Sequence, residues 1–303
     1  MGKGNAAPPS ISFLNGSQLI CDFLDDSDSG YDPGNSPKRH HVLEIGVSDG
    51  KFGKKLNFQA VGTFSTSVAT SDGGFIVLTD GKVTKYNASF EVETSWTEVP
   101  VRPDSRPGIW RMNLAPGGKV VLLYHRFDGD RKAEFFWLNT HDLKVLESEA
   151  TDWHLLIDAS SKSAFTEKTP GPRGARYSLT DELYFFAVDG KYVIESLDGA
   201  VHAKGKLAGL TMDFTRSWNS PRVAFFDGQS PYAGIENYGR TPSFTANVRV
   251  IDWNTNTKVA ELSLEEGPAN PSDGWKQSAL ALSPDGKYLA VLRLHTLTCY
   301  RLP

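Results

Sequence analysis

Ser278-Ala279-Leu280-Ala281-Leu282-Ser283-Pro284-Asp285-Gly286-Lys287-Tyr288-Leu289-Ala290-Val291-Leu292 reads as a β-hairpin. A short apolar run enters a Pro-Asp-Gly turn and a second apolar run returns from it. Proline presets φ at the first turn position, aspartate hydrogen-bonds the backbone ahead of it, and glycine accepts a positive φ. Weaker copies of the phrase occur upstream. Asn113-Leu114-Ala115-Pro116-Gly117-Gly118 precedes Lys119–Leu123, Ser67–Gly74 precedes Phe75–Leu78, and Ile11–Gly16 precedes Gln18–Cys21.

A second kind of hairpin alternates with the first. Val42–Val47 leads through Ser48-Asp49-Gly50 to Lys51–Phe58, and Val248–Trp253 leads through Asn254–Thr257 to Lys258–Leu264. Tyr192–Ser196 with Leu197-Asp198-Gly199, and Ala133–Leu138 with Asn139–Asp142, follow the same plan. Two hairpins and one connection make a four-stranded antiparallel unit of roughly forty residues, the period of a β-propeller blade. No long stretch of helical periodicity interrupts the series, so helix content is expected to be very low.

The expected fold class is therefore all-β, a single β-propeller of four-stranded antiparallel blades over residues 11–303, behind a disordered N-terminal segment 1–10. First strands begin near residues 11, 67, 110, 154, 175, 211 and 278. They give seven blades with an abbreviated fourth, because 154 and 175 are about half a unit apart. If 154–209 is instead one irregular blade, the ring has six. A pair of β-sandwiches would not generate the recurring strand and Asp-Gly phrase, and an open solenoid would show a shorter, stricter period.

Bulk properties exclude several classes. A formal charge of −4 opposes general nucleic-acid binding, which needs a basic field to displace phosphate counterions. No apolar run approaches the eighteen or so residues of a membrane helix, so no membrane insertion is expected. Met1–Ser10 is small and polar with Pro8-Pro9 and lacks the apolar core of a signal peptide, which leaves a cytoplasmic chain or a missing export signal. The 2 cysteines are too few for a disulfide scaffold or a cysteine-built zinc site. A monomer is expected.

Ala281-Leu282-Ser283-Pro284-Asp285-Gly286-Lys287-Tyr288-Leu289-Ala290 resembles the Ser-Pro-Asp-Gly phrase of WD40-like and YVTN-type β-propellers. Over nearly its full length the chain is similar to WD40-like propeller proteins of the bacterial, acidobacterial type. Ile11–Leu14, Val250-Ile251-Asp252 and the terminal Cys299-Tyr300-Arg301-Leu302-Pro303 are the further shared features. The resemblance implies seven blades and export from the cytoplasm. The chain departs from it in its short fourth unit, in having no signal sequence, and in lacking the Gly-His and Trp-Asp dipeptides of true WD40 repeats. No catalytic residues come with it.

Reactive motifs are scarce. Gly46-Val47-Ser48-Asp49-Gly50 matches the G-x-S-x-G of a nucleophile elbow, but that elbow needs a strand-to-helix turn and here a strand follows. Among the scattered histidines only His40 and His41 adjoin. In a strand they point to opposite faces, and they read as solvent or edge residues. Asp26-x-Asp28-x-Gly30 imitates the opening of a calcium loop, but Gly30 replaces a ligand and Pro37 stands where the closing Glu belongs, so calcium is a weak candidate and a cofactor is not expected. Ring closure would bring the first and last units together, so Cys21 and Cys299 could form a disulfide across it.

Connection lengths carry the functional signal. Turns between first and second strands, and between third and fourth, are tight throughout. The other connections are long: Asp25–Lys38, Phe127–Lys132, Lys168–Arg176 and Asp227–Thr245 within units, Val99–Ile109 and Glu265–Lys276 between them. Long loops on a rigid scaffold carry binding residues, and these hold Arg102, Arg106, Tyr232, Tyr238, Arg240 and Trp275, side chains typical of binding hot spots. The function expected is a non-catalytic scaffold that binds a protein, peptide or glycan on its long-loop face. The alternative is a propeller hydrolase or lyase with its site at the channel mouth, for which His154, Asp158, Asp213, Arg216 and Arg111 are the first candidates.

Overall fold

In the computed structural model, residues 10–24, 38–60, 66–79, 82–97, 109–115, 118–126, 132–152, 175–180, 182–188, 190–196, 198–207, 214–228, 246–264, 278–293 and 296–303 are described. They form an all-β molecule of antiparallel sheets, with no α-helix among them. The chain divides into two compact units, Met1–Glu167 and Lys168–Pro303.

The first unit holds three sheets. β1 (Ser10–Phe13), β2 (Gln18–Leu24), β3 (Lys38–Gly46) and β4 (Phe52–Ala60) form sheet 1. β5 (Thr66–Ala69), β6 (Phe75–Thr79), β7 (Lys82–Tyr86) and β8 (Val92–Thr97) form sheet 2. Sheet 3 contains β9 (Ile109–Leu114), β10 (Val120–Arg126), β11 (Lys132–Asn139) and β12 (Val145–Asp152).

The second unit repeats the plan. Sheet 4 is β13 (Ala175–Ser178), β14 (Leu183–Val188), β15 (Lys191–Ser196) and β16 (Val201–Lys206). Sheet 5 is β17 (Phe214–Arg216), β18 (Arg222–Gly228), β19 (Ala246–Asp252) and β20 (Thr257–Leu264). Sheet 6 has three strands among the described residues: β21 (Ser278–Leu282), β22 (Tyr288–Arg293) and β23 (Thr296–Arg301). In every sheet each strand pairs with its sequence neighbour.

The recurring turn phrase has one physical device. In Thr70-Ser71-Asp72-Gly73 the Thr70 hydroxyl donates to Asp72 Oδ1 at 2.5 Å, and the same oxygen accepts the Gly74 amide at 3.3 Å. In Ser283-Pro284-Asp285-Gly286 the corresponding bonds are Ser283 Oγ to Asp285 Oδ1 at 2.7 Å and Lys287 N to Asp285 Oδ1 at 3.1 Å. Ser196-Leu197-Asp198-Gly199 repeats it at 2.5 and 3.1 Å. Gly73, Gly199 and Gly286 take φ of 85°, 86° and 71°, a region closed to most side chains.

Burial runs across each sheet. β6 is buried almost throughout, whereas β8 at the sheet margin is mostly exposed. First strands lie beside first strands, β1 against β5, β5 against β9, and β17 against β21. Inner strands are covered on both faces, so they read as continuous apolar runs such as Phe75-Ile76-Val77-Leu78 rather than as alternation. Between sheets 2 and 3, Ile76, Leu78 and Val83 meet Met112, Val121, Leu123 and Leu138. Phe185, Tyr192 and Ile194 of sheet 4 meet Val223, Phe225 and Ile251 of sheet 5, whose other face packs Ala224, Val248 and Val250 on Leu280, Leu282, Leu289 and Val291 of sheet 6.

Two expectations change. Arg176 lies in β13, the first strand of sheet 4, so 153–174 connects two sheets and Lys168–Arg176 is not a loop within one. The hairpin of β13 with β14, closed by Leu179 N to Leu183 O at 2.7 Å, opens a complete four-stranded sheet that begins at Ala175. A first strand near 154 lies outside the described residues. The first described strand of the unit near 211 is Phe214–Arg216, and 211–213 lie outside the described residues. Finally, His40 and His41 are buried, because β3 is an interior strand flanked by aromatic rings. They do face opposite ways, His40 stacking on Phe58 at 5.6 Å and His41 meeting Phe23 at 5.1 Å.

Candidate functional site

Strand order sorts the connections onto two edges of each sheet. The turns 14–17, 47–51, 70–74, 87–91, 115–119, 140–144, 179–182, 197–200, 217–221, 253–256 and 283–287 all join strand ends on one edge. The opposite ends launch 25–37, 98–108, 153–174, 229–245 and 265–277. A few connections there are short, 80–81 and 189–190 among them, yet every long one belongs to that edge. Ser48-Asp49-Gly50 is a hairpin turn with Gly50 at φ 64°, not a nucleophile elbow.

Arg102, Arg106, Tyr232, Tyr238, Arg240 and Trp275 lie outside the described residues, and so do Asp26, Asp28, His154, Asp158 and Asp213. Arg216 is described. Its guanidinium donates to the Leu179 carbonyl, tying sheet 5 to the first turn of sheet 4. Among the described residues no group of three or more His, Cys, Asp or Glu could hold a metal ion. Cys21 and Cys299 are both free thiols, and burial, with Asp22 beside it, pushes the Cys21 thiol up to about 11.

Several charged groups lie between sheets within a unit. Lys85 is almost wholly buried on the face of sheet 2 turned to sheet 3, its ammonium 2.5 Å from Asp72 and 3.2 Å from Glu93. Burial pulls its pKa down, but the two carboxylates outweigh it and hold the pKa above the ordinary lysine value. Glu93 can reach Lys85 because the register slips between Lys85 and Tyr86, leaving an extra residue on β8. In the second unit, Arg249 pairs with buried Asp227 and donates to the Lys206 carbonyl of sheet 4 at 2.6 Å. Asp22 faces Ser67 of β5. Burial raises its carboxyl to about 7, against hydrogen bonds from Ser67 that lower it.

A different kind of site occupies the outer half of sheet 1. Arg39 pairs with Gln59, His41 with Asn57, and Leu43 with Lys55 across β3 and β4, so these side chains share one face. Arg39, His41, Lys55, Asn57, Phe58 and Gln59 line an open cleft of about 490 Å³. His41 forms its floor at 8% exposure, with Nδ1 2.6 Å from Asn57 Oδ1. Lys38 and Ala60 end these strands on the edge that launches 25–37 and 61–65, so the cleft lies near the loop-bearing edge of the sheet. Sequence reading missed it because the residues come from two strands and share no local motif. The pairing of two basic strands, Lys38–His41 and Lys51–Lys55, was the available signal. Exposed large apolar side chains gather elsewhere, at the starts of outer strands: Phe52, Val92, Val145, Leu146 and Val201.

No protein-family model matches the chain, and no curated protein does. Solved structures are similar at low identity. One is the WD40 domain of Neurospora crassa Pan2, at 12% identity and TM-score 0.45, covering 99% of this chain and 90% of that one. A chain of a mitotic checkpoint complex gives 11% and 0.46, covering 97% and 86%. The WD40 domain of Toxoplasma gondii coronin gives 10% and 0.39, covering 99% and 71%. Below a TM-score of 0.5 these likenesses carry no functional argument.

Proposed function

We propose that the six sheets are blades of one β-propeller, and that the protein is a non-catalytic scaffold whose loop-bearing edge holds a protein, peptide or glycan. The carrying observation is the one-sidedness of the connections: tight turns on one edge of every sheet, all the long segments on the other. Evolution keeps long connections on a rigid frame chiefly where they make contacts, since closing a longer loop costs entropy without improving the core. Tyr232, Tyr238, Arg240, Arg102, Arg106 and Trp275 would supply those contacts. The described ionisable groups between sheets support this reading, because Lys85, Arg216 and Arg249 each donate to a carbonyl of the neighbouring sheet, those of His141, Leu179 and Lys206.

Closure into a ring has its own support. Cys21 lies on the face of sheet 1 turned away from sheet 2, together with buried Ile11, Phe13 and Leu19. Cys299 lies on the face of sheet 6 turned away from sheet 5, together with buried Ala281 and Ala290. Each end sheet thus offers an outer face that is apolar over its inner strands and carries a cysteine, and on sheet 1 that face continues outward to Arg39, His41 and Lys55. Over prolonged incubation at pH 8.5, which lets the burial-raised Cys21 thiol react despite its slowness, a short bis-maleimide should link the two thiols within one chain, seen as one added linker by intact mass. Two singly modified thiols, or dimers only, would count against the ring.

The binding reading is tested by screening wild type and the Tyr232→Ala/Tyr238→Ala/Arg240→Ala variant against peptide-display and glycan arrays. A ligand that loses at least tenfold in affinity in this variant, and keeps it in the tight-turn variant Lys51→Ala/Lys144→Ala, supports the assignment. Equal loss in both variants, or no loss in the loop variant, refutes it.

A further inference from the structure

Five of the six sheets have four strands, whereas sheet 6 has three among the described residues and ends at β23 with an open edge. The Leu302 amide donates to the Lys287 carbonyl at 2.7 Å, one step beyond the Tyr288–Arg301 pair, and this bond sets the alternation along the ladder. Thr298 and Tyr300 therefore bond toward β22. Leu297, Cys299 and Arg301 turn their amides and carbonyls outward, with no backbone partner among the described residues. Burial agrees with an uncovered edge. The third strands β7 and β15 contain buried residues, and β23 contains none.

Sheet 5 supplies a wall beside that edge. Ala260, Leu262 and Leu264 of β20 pair with Val250, Val248 and Ala246, so they share the face of sheet 5 that packs on sheet 6. They alternate with exposed Glu261 and Ser263 and are themselves only half-buried. Sheet 5 has a fourth strand where sheet 6 has none, so β20 overhangs the free edge of β23. An apolar stripe thus stands where the side chains of one more strand would pack, and Tyr300 lies on the same side of sheet 6. On the other side Arg301 is exposed, and its guanidinium forms no ion pair among the described residues.

We propose that this edge takes up one extended segment of a partner protein as the fourth strand of sheet 6. Main-chain bonds to Leu297, Cys299 and Arg301 supply affinity, and side chains at alternate positions supply selectivity. The segment runs antiparallel to β23, as neighbouring strands do in sheets 5 and 6. Its chemistry follows position by position. Residues opposite Tyr300 and Thr298 face β20 and are apolar, and the residue opposite Arg301 is acidic, complementing the guanidinium. A second copy of this chain does not fit. Two β23 edges joined antiparallel about a twofold axis keep the same face upward, so the second copy's sheet 5 would overlap β20. A parallel pair needs its strands offset by one residue, which a twofold axis forbids.

The probe is the peptide acetyl-Glu-Val-Thr-Val-Thr-Val carrying a C-terminal fluorophore, titrated into the protein by fluorescence anisotropy. Its glutamate is placed to meet Arg301, and its valines to meet β20. Saturable binding is expected. N-methylating the third residue, whose amide faces Cys299, should weaken it about tenfold or more, through one lost hydrogen bond and a clash in the ladder. N-methylating the second residue, whose amide points away from β23, should weaken it less than about threefold. Arg301→Glu, at an exposed position that leaves the fold intact, should prefer the peptide with lysine in place of glutamate. The amides of Leu297, Cys299 and Arg301 should exchange quickly with heavy water in the free protein and slowly in the complex. Absence of saturable binding at millimolar peptide overturns the proposal, as does equal weakening by the two methyl groups or an unchanged preference in Arg301→Glu. Slow exchange of those amides in the free protein also overturns it, since residues of the chain itself would then cover the edge. None of these outcomes bears on the long loops, so failure here is distinct from failure of the scaffold reading.

Discussion

Gly286→Ala should be among the most destabilising single-methyl additions in the chain. Gly286 sits at φ 71°, where a side chain costs on the order of 1–2 kcal/mol. The added Cβ would also stand 2.6 Å from Ser220 Oγ and 2.9 Å from both Ser220 Cβ and Arg222 Cδ. These atoms belong to the turn of sheet 5 that locks onto the turn of sheet 6. Arg222 donates to the Gly286 carbonyl at 2.9 Å, Ser217 Oγ to the Pro284 carbonyl at 2.5 Å, and the Asn219 amide to the same carbonyl at 2.8 Å. Relieving the overlap must move backbone or break those bonds, about 1–3 kcal/mol more by the usual cost of overpacking. The total is about 2–5 kcal/mol. Gly199 is the control, with φ 86° and no atom within 4 Å of an added Cβ, so Gly199→Ala should show the conformational part alone. Urea unfolding of both variants against wild type reads the difference. If Gly286→Ala is no more destabilising than Gly199→Ala, the turn-to-turn lock does not hold sheets 5 and 6 together as argued.

Further outcomes follow from the buried charges. Asp22 has a folded pKa near 7 against an ordinary 3.8, so the folded state holds a proton that the unfolded chain releases. Stability from this group is therefore full below pH 4 and falls as pH rises to about 7, by up to about 4 kcal/mol. Asp22→Asn should flatten that slope and be the more stable form at pH 8, as read by urea unfolding at pH 5 and 8; an unchanged slope contradicts the burial argument. Lys85→Ala should cost on the order of 2–4 kcal/mol, because it removes a buried stem as well as the ammonium between Asp72 and Glu93. Lys85→Met keeps the stem and leaves two half-exposed carboxylates that water can solvate, so it should cost less than about 2 kcal/mol; equal losses would place the whole effect in charge. The Cys21 thiol, at about 11, should alkylate with iodoacetamide at pH 7.5 far more slowly than a free cysteine, measured by mass spectrometry.

The strands were legible because their signals are local. A threonine or serine two residues before an Asp-Gly pair specifies a turn through bonds that span a few residues, and Thr70, Ser196 and Ser283 all make them. The edge-to-edge asymmetry of connection length follows from the same turns, and the strand ends bear it out. The tertiary structure was needed wherever distant strands meet. His40 and His41, alternating as expected, turned out to be buried, since only packing brings Phe58 and Phe23 against them. Arg176 moved from loop to strand because its partner, Phe186, is supplied across a turn with no Asp-Gly phrase. The cleft of Arg39, His41, Lys55 and Asn57 depends on register between β3 and β4, and a slip of one residue would send half of those side chains to the other face. Turn chemistry is written along the chain. Which side chains share a face across strands, and how deeply they lie, is set by the pairing and packing of whole sheets.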